Sequence, residues 1–211
     1  MVKQNRVYIT IGSLLVFMAL VLGLYVYQTN EARHQRFVYQ SFNGTLLKQP
    51  REIVTFALEG TNGVPFNNQS LKNHWTMMFF GFTQCGSICP TTLAELSKMM
   101  TILHKQKVAL PQVVMISVDP ERDSLEQLTH YLHSFNHNFI GARGHDEVVA
   151  KLTKDMGIAY TKIAMSADSE SNYNIDHTGT IILLNPQGKL AGFFTMPHQA
   201  SALAKDYLLV V

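Results

Sequence analysis

The pattern of apolar and polar positions divides the chain into one long apolar run and a region of short alternating elements. Between Val7 and Tyr27 there is no charged residue, and Ile, Leu, Val, Phe, Met and Tyr dominate the run. As a helix it would be roughly 31 Å long, enough to cross the hydrocarbon core of a bilayer. We therefore predict a transmembrane anchor at residues 7–27, preceded by a short cytoplasmic tail at residues 1–6.

Two alternatives to an anchor fit this run less well. A cleaved signal peptide has a shorter apolar core and a small-residue cleavage site, whereas this run ends in Tyr25, Val26 and Tyr27. A core helix of a soluble domain is amphipathic, and this segment is apolar nearly all round. Residues 28–49 are polar without a clear period, so we predict a juxtamembrane linker there and a compact domain at residues 50–211.

Beyond Pro50 the hydrophobic pattern switches repeatedly between the period of a strand and the period of a helix. We predict strands at 53–58, 75–80, 113–118, 158–164, 180–184 and 190–195, and helices at 90–103, 124–135, 146–156 and 198–208. Asp123 and Glu126 have the spacing of a capping box, which predicts the start of the second helix. This order, which ends in a β-hairpin and a helix, predicts an α/β domain of the thioredoxin-like class.

The chain contains two cysteines, Cys85 and Cys89, and both follow the first of the strands predicted to be central. Pro90 suits the first turn of a helix, so Cys89 is expected at a helix N-terminus, where partial positive charge favours the thiolate. Sites in open α/β sheets lie at the carboxyl ends of strands. The pair is therefore either a redox couple or part of a soft-metal site.

Nine histidines are present, so a histidine is weak evidence by itself. We expect most of them to lie at the surface or far from the cysteines: His34, His104, His130, His133 and His137. His177 is different, because it lies in a predicted loop entering the strand 180–184, where a thioredoxin-like sheet faces the cysteines. Thiol oxidoreductases of this fold normally carry a cis-proline ahead of that strand, and here no proline occupies the place. A metal site is therefore favoured over an oxidoreductase.

With this arrangement of two cysteines and His177, the chain resembles the Sco/SenC family of membrane-anchored copper proteins that assist assembly of cytochrome c oxidase. The resemblance covers residues 50–211 and the anchor. It rests on three motifs in the expected order: Gly81-Phe82-Thr83-x-Cys85-x-x-x-Cys89-Pro90-Thr91-Thr92, Ser117-Val118-Asp119-Pro120-x-Arg122-Asp123, and Asp176-His177-Thr178. The resemblance implies copper bound by Cys85, Cys89 and His177.

Two positions in these motifs bear on the properties of the site. The family usually has Pro-Asp or a similar pair between its cysteines, and this chain has Gly86-Ser87, which predicts a more flexible and less negative loop. Asp119 has two interpretations, an acidic group at a strand end near the site or the cap of an Asp-Pro turn.

The resemblance implies a metallochaperone rather than an enzyme, delivering copper to the dinuclear copper centre of cytochrome c oxidase. The alternative is a thiol–disulfide reductase that keeps the cysteines of the oxidase copper subunit reduced. A peroxidase of the peroxiredoxin type is disfavoured, because its Pro-x-x-x-Thr-x-x-Cys motif is absent. A purely structural disulfide is also disfavoured, since it would close a small loop and add little stability.

Partners and location follow from the same observations. The basic residues are scattered and the formal net charge is +2, so nothing suggests nucleic-acid binding. The resemblance implies the copper-bearing oxidase subunit as a partner, with other periplasmic copper carriers or thiol reductants. We expect a single-pass protein of the bacterial inner membrane whose soluble domain faces the periplasm. No Arg- and Ser-rich transit peptide precedes the run, which disfavours a mitochondrial protein.

Overall fold

The computed structural model describes residues 2–165 and 173–211, without the side chains of residues 2–11, 13, 34 and 40. The side chains of the predicted tail and of His34 therefore lie outside the described part. The chain forms two compact units, Met1–Phe42 and Asn43–Val211. The helices are α1 Val2–Ser41, α2 Ile88–Lys105, α3 Leu125–His133, α4 Asp146–Met156 and α5 Ala200–Leu208.

The first unit is the helix α1. Its segment Leu14–Tyr39 contains an 18-residue stretch with a mean hydropathy of 1.3, and by length and composition it is apolar and long enough to cross a membrane. Its large apolar side chains from Leu14 to Tyr27 are exposed, as Phe17 and Leu20 illustrate. The helix continues to Ser41, and the first strand begins at Thr45, so helix and strand occupy most of the predicted linker.

The second unit is a mixed sheet with helices α2 to α5. The strands are β1 Thr45–Arg51, β2 Ala57–Gly60, β3 Pro65–Asn67, β4 Thr76–Gly81, β5 Gln112–Ser117, β6 Ile140–Arg143, β7 Tyr160–Ala164, β8 Tyr173–His177, β9 Ile181–Leu184 and β10 Leu190–Phe194. The main sheet has the order β1-β10-β9-β4-β5-β6-β2-β3, and β7 and β8 form a separate two-stranded sheet. A short 3₁₀ turn, Asn68–Leu71, follows β3.

The apolar runs form the centre of the sheet, as predicted. Every residue of β4 and of β9 is buried, as expected for strands covered on both faces. Strands β4, β5 and β6 are parallel neighbours. Their carboxyl ends therefore meet at one edge of the sheet, where the cysteine loop follows β4 and the Asp119 loop follows β5.

Three details differ from the sequence predictions. The predicted strand 53–58 forms later, as β2, and β1, β3, β6 and β8 were not predicted. The capping box of α3 consists of Ser124 and Gln127, so the prediction that Asp123 caps this helix is wrong. Asp123 is instead fully buried in the sheet edge. The helix 146–156 is confirmed at both ends.

The second unit begins earlier than residue 50. Strand β1 pairs antiparallel with β10, and the buried carboxylate of Asp206 in α5 accepts hydrogen bonds from the backbone N–H groups of Asn43 (2.9 Å) and Gly44 (3.0 Å). These contacts attach residues 43–51 to the rest of the unit.

Candidate metal centre

The two cysteines lie on the connection between β4 and α2. Cys85 is in the loop and partly exposed, whereas Cys89 is in the first turn of α2 and fully buried. The position of Cys89 at a helix N-terminus is confirmed. Its backbone N–H points at Cys85, with a distance of 3.4 Å from nitrogen to Sγ. Both thiols are free in this structure.

The last residue of β4 makes room for the buried sulfur. A Cβ added to Gly81 would lie 2.9 Å from Cys89 Sγ and 2.8 Å from the Phe79 ring, closer than packed carbon atoms tolerate. A glycine is therefore required here by close approach. This explains locally why a Gly-Phe-Thr sequence leads into the cysteine loop.

His177 is the last residue of β8, so the prediction that it lies in a loop is wrong. The prediction that it faces the cysteines is confirmed. The side chain is 6% exposed, and Nε2 lies 3.3 Å from Cys89 Sγ and 3.6 Å from Cys85 Sγ. Nδ1 lies 3.2 Å from the carbonyl oxygen of Thr178. Because a carbonyl only accepts, Nδ1 donates to Thr178, and Nε2 is the ring nitrogen that faces the two sulfurs.

Two aromatic rings form a wall around the imidazole. The centroids of Phe79 and Phe82 lie 5.9 Å and 5.8 Å from that of His177, both in edge-to-face geometry. Both phenylalanines are buried. The ring of His177 is therefore held in one orientation and is largely screened from water.

The two thiols are electrostatically unlike. The Cys89 thiol donates a hydrogen bond to Cys85. This bond is the main reason why the pKa of Cys85 is lowered to about 3, and hydrogen bonds from His177 and from backbone N–H groups lower it further. The same hydrogen bond, together with burial, raises the pKa of Cys89. The expectation of a thiolate at Cys89 is therefore wrong for the metal-free state, in which the thiolate is on Cys85.

The loop after β5 is connected to the strand that carries His177. The Tyr173 hydroxyl donates to Asp119 at 2.6 Å, and Arg122 forms an ion pair with the same carboxylate. Arg122 also donates to the Tyr173 carbonyl at 2.9 Å, and its guanidinium lies 3.8 Å from the centroid of that ring. Asp119 is fully buried. It acts as a fixed anchor for β8 rather than as the cap of a simple turn.

A second buried carboxylate supports the cysteine loop. Asp123 accepts hydrogen bonds from the Thr83 backbone N–H (3.2 Å), the Thr83 hydroxyl (2.5 Å) and the Ser117 hydroxyl (2.6 Å). Burial raises the pKa of this carboxyl group. Since Thr83 lies two residues before Cys85, the Asp123 side chain fixes the start of the loop. This role could not be inferred from the sequence, because the residue also matched the pattern of a helix cap.

The remaining histidines named above are placed as expected wherever their side chains are described. His104, His130, His133 and His137 are exposed, and the ring centroids of His133 and His137 lie 5.0 Å apart, with the rings tilted to each other. The prediction of surface positions is confirmed for these residues. Within the described part of the chain, the cluster with metal-ligand geometry is Cys85, Cys89 and His177.

This cluster can hold a soft metal. Its three ligand atoms all lie within 4.8 Å of one another. Two sulfur ligands and one imidazole nitrogen match the preference of Cu(I), and they lack the carboxylate oxygens that hard cations such as Mg²⁺ and Ca²⁺ require. Because Nδ1 contacts the Thr178 carbonyl, Nε2 is the nitrogen placed to coordinate.

The sequence also matches a known family model, SCO1/SenC, over residues 45–210. The chain belongs to the SCO1/SenC family. A SCO2-like protein of Rickettsia prowazekii is 32% identical over 148 residues, which is 70% of this chain and 71% of that protein. The resemblance inferred from the three sequence motifs is confirmed.

Solved structures of the family show the same fold. Apo Sco1 from Thermus thermophilus matches with a TM-score of 0.69 and 32% identity, covering 81% of this chain and 97% of that one. ScoI from Bradyrhizobium japonicum, solved with copper bound, matches with a TM-score of 0.64 and 31% identity, covering 75% and 100%. The α/β thioredoxin-like class is confirmed.

Proposed function

We propose that this SCO1/SenC protein binds copper through Cys85, Cys89 and His177 and delivers it to, or prepares, the dinuclear copper centre of cytochrome c oxidase. The observation that carries the proposal is the convergence of two sulfurs and one imidazole nitrogen within 4.8 Å. The copper-bound structure of the Bradyrhizobium relative supports the choice of metal. Copper is the cargo of this activity, which is ligand exchange and not turnover.

Each residue has a distinct task in that exchange. His177 is buried and oriented by the Thr178 carbonyl and two phenylalanine rings, so it supplies a fixed ligand. Cys89 is fully buried, whereas Cys85 is partly exposed and already carries the thiolate. Incoming ligands of a partner protein therefore reach the site from the Cys85 side. We propose the copper-bearing oxidase subunit as that partner.

The proposal includes a location. Helix α1 is long and apolar enough to span a membrane, and its large apolar side chains from Leu14 to Tyr27 are exposed. We propose that it anchors the chain in a bacterial inner membrane, with the unit Asn43–Val211 in the periplasm. Other copper carriers or thiol reductants of that compartment are proposed partners.

A second function is favoured by the unlike pKa values of the two thiols. A reductase needs one thiolate to attack and one thiol to resolve, which matches Cys85 and Cys89. Cys85 Sγ would attack a disulfide of the oxidase subunit, form a mixed disulfide and release one client thiolate. Cys89 would then deprotonate and attack Cys85, release the second client thiolate and leave a Cys85–Cys89 disulfide, which a periplasmic dithiol re-reduces.

Copper uptake tests the leading proposal. The reduced protein should bind one Cu(I), and the protein carrying a Cys85–Cys89 disulfide should bind almost none, because coordination needs both thiolates. Copper and protein would be quantified after gel filtration of each form. Equal uptake by the two forms would show that the cysteines are not the ligands.

A further inference from the structure

A methionine sulfur lies where the cysteine segment and the histidine segment meet. Met196 follows β10, and a Cβ added to Gly179 would overlap its Sδ atom. The same point lies 2.9 Å from Cγ2 of Ile88, the residue before Cys89. Gly179 lies two residues after His177. The thioether therefore lies against Gly179, two residues after one proposed ligand, and the same glycine lies close to Ile88, the residue before another.

The segment that carries Met196 is fixed to the histidine segment. His198 Nε2 lies 2.6 Å from the carbonyl oxygen of Gly179, and because that oxygen only accepts, the ring donates the proton. Met196 is nevertheless 46% exposed. The thioether of Met196 is thus held beside Gly179, a place we call the rim of the site, and the residue remains partly exposed.

A ligand atom at the rim is useful because two of the three proposed ligands are buried. Cys89 and His177 are buried, and Cys85 alone of the three is partly exposed. Copper leaving the site must therefore pass the exposed rim. A thioether is an uncharged, soft ligand that suits Cu(I) and that binds more weakly than a thiolate.

We propose that Met196 is an additional, exchangeable copper ligand, which holds the ion at the rim while a partner's ligands replace those of this chain. The proposal rests on the copper-binding function stated above. In this proposal Gly179 makes room for the sulfur of Met196, since any larger residue at position 179 would push that sulfur away from the histidine segment.

Met165 provides a matched control. It is 64% exposed, but it follows β7 at the far end of the β7–β8 hairpin, where Ala164 pairs with Tyr173. His177 pairs with Tyr160 at the other end. Four residues of strand separate the two ends by roughly 13 Å. Leucine conserves the volume of methionine and removes only the sulfur, so M196L and M165L are the variants of choice.

The test uses the reduced full chain in detergent, labelled with ¹³C at the methionine methyl groups and loaded with one equivalent of Cu(I). The resonance that M196L removes should shift on loading, and the resonance that M165L removes should not. X-ray absorption at the copper edge should show one sulfur fewer in M196L than in the parent and no change in M165L. Transfer of copper to a chelator should slow several-fold in M196L alone.

The possible outcomes separate this inference from the proposed function. If one copper binds and the Met196 resonance and the sulfur count both stay unchanged, Met196 is not a ligand, although the cysteine and histidine site stands. If copper does not bind to the reduced chain, both proposals fall. If M196L and M165L slow transfer equally, the effect is not specific to the rim and the proposed task of Met196 is overturned.

Discussion

The hydroxyl of Tyr173 donates a 2.6 Å hydrogen bond to the buried carboxylate of Asp119, and this contact joins the strand of His177 to the main sheet. Tyr173 is the first residue of β8 and His177 the last. Because β7 and β8 form a separate two-stranded sheet, the position of His177 depends on contacts of this kind rather than on the ladder of the main sheet.

Replacing Tyr173 by phenylalanine tests that dependence. The change removes a hydrogen bond to a charged acceptor, which should lower the free energy of unfolding by roughly 1.5–3 kcal/mol. The Cu(I) affinity should also fall, because the strand that holds His177 loses its link to Asp119. Urea unfolding and competition with a Cu(I) chelator would measure the two effects.

Tyr131 offers the matching control for that substitution. Among the described residues its buried hydroxyl has no hydrogen-bond partner, so Tyr131→Phe removes the same atom without breaking a described bond. Its stability should be unchanged or slightly higher, because the desolvated hydroxyl is a cost in the parent. If Tyr173→Phe and Tyr131→Phe behave alike, the contact with Asp119 does not position β8.

The reactivity of Cys85 should be almost independent of pH in the reduced, metal-free protein. Its pKa is lowered to about 3, so it is a thiolate throughout the range from pH 5 to 8. A free cysteine with a pKa near 8.5 is only about 0.03% thiolate at pH 5. Alkylation by iodoacetamide, followed by peptide mass spectrometry, should modify Cys85 rapidly at pH 5.

Cys89→Ala is the control for this pH profile. It removes the thiol that donates to Cys85, the largest contribution to the lowered pKa. The pKa of Cys85 should therefore rise, and alkylation at pH 5 should slow relative to pH 8. A parent rate that climbs about tenfold per pH unit from pH 5 would contradict the lowered pKa.

The sequence predicted the centre of the fold because the central strands are continuous apolar runs. Strand β8 was missed, although Tyr173, Ile175 and His177 alternate with polar residues in the period of a strand. It is short, and its partner β7 lies beyond an intervening segment, so no hairpin signal was present. Asp123 was misassigned because the capping pattern is local, whereas its real partners, Thr83 and Ser117, lie elsewhere in the chain.

The predicted members of the candidate site are found together, but their protonation was not predictable. Cys85, Cys89 and His177 converge as expected. Which cysteine is ionised depends on which thiol donates to the other and on how deeply each is buried. Neither property follows from the spacing of residues in the sequence. The helix N-terminus alone therefore predicted the thiolate on Cys89 and not on Cys85.

The boundary of the second unit can be tested by truncation. A fragment of residues 43–211 keeps β1 and both backbone donors of Asp206. A fragment of residues 50–211 loses most of β1 and leaves the buried Asp206 carboxylate without those donors. We expect it to be less stable by at least about 3 kcal/mol in urea unfolding.

Asp206→Asn in the longer fragment separates the two contributions to that loss. It keeps β1 but weakens the hydrogen bonds to Asn43 and Gly44, so it should lower the stability of the longer fragment by part of the difference between the two fragments. Equal stability of the two fragments would place the start of the folded unit near residue 50 instead.

The topology is tested by protease accessibility. If α1 is an uncleaved anchor, protease added to spheroplasts should digest residues 43–211, because that unit lies outside the cytoplasmic membrane. N-terminal sequencing of the purified protein should find the intact start of the chain. Protection of the unit, or a mature N-terminus near residue 30, would overturn the anchor.

His177→Ala distinguishes copper delivery from disulfide reduction. The substitution removes one of three proposed ligands, so Cu(I) affinity should fall roughly 10- to 100-fold or more. A dithiol reductant needs no imidazole ligand, so the rate of reduction of a test disulfide should stay close to the parent's, apart from the effect of His177 on the pKa of Cys85. In cells lacking the parent gene, the variant should fail to support oxidase assembly.

His133→Ala is the matched control, since it removes an exposed histidine outside the site and should change neither copper affinity nor oxidase assembly. Cys85→Ser completes the comparison, because it disables both proposed functions at once. Full oxidase assembly by His177→Ala beside none by Cys85→Ser would mean that copper delivery is not the essential task. The thiolate of Cys85 would then act on a client disulfide, and the reductase function would replace the metallochaperone.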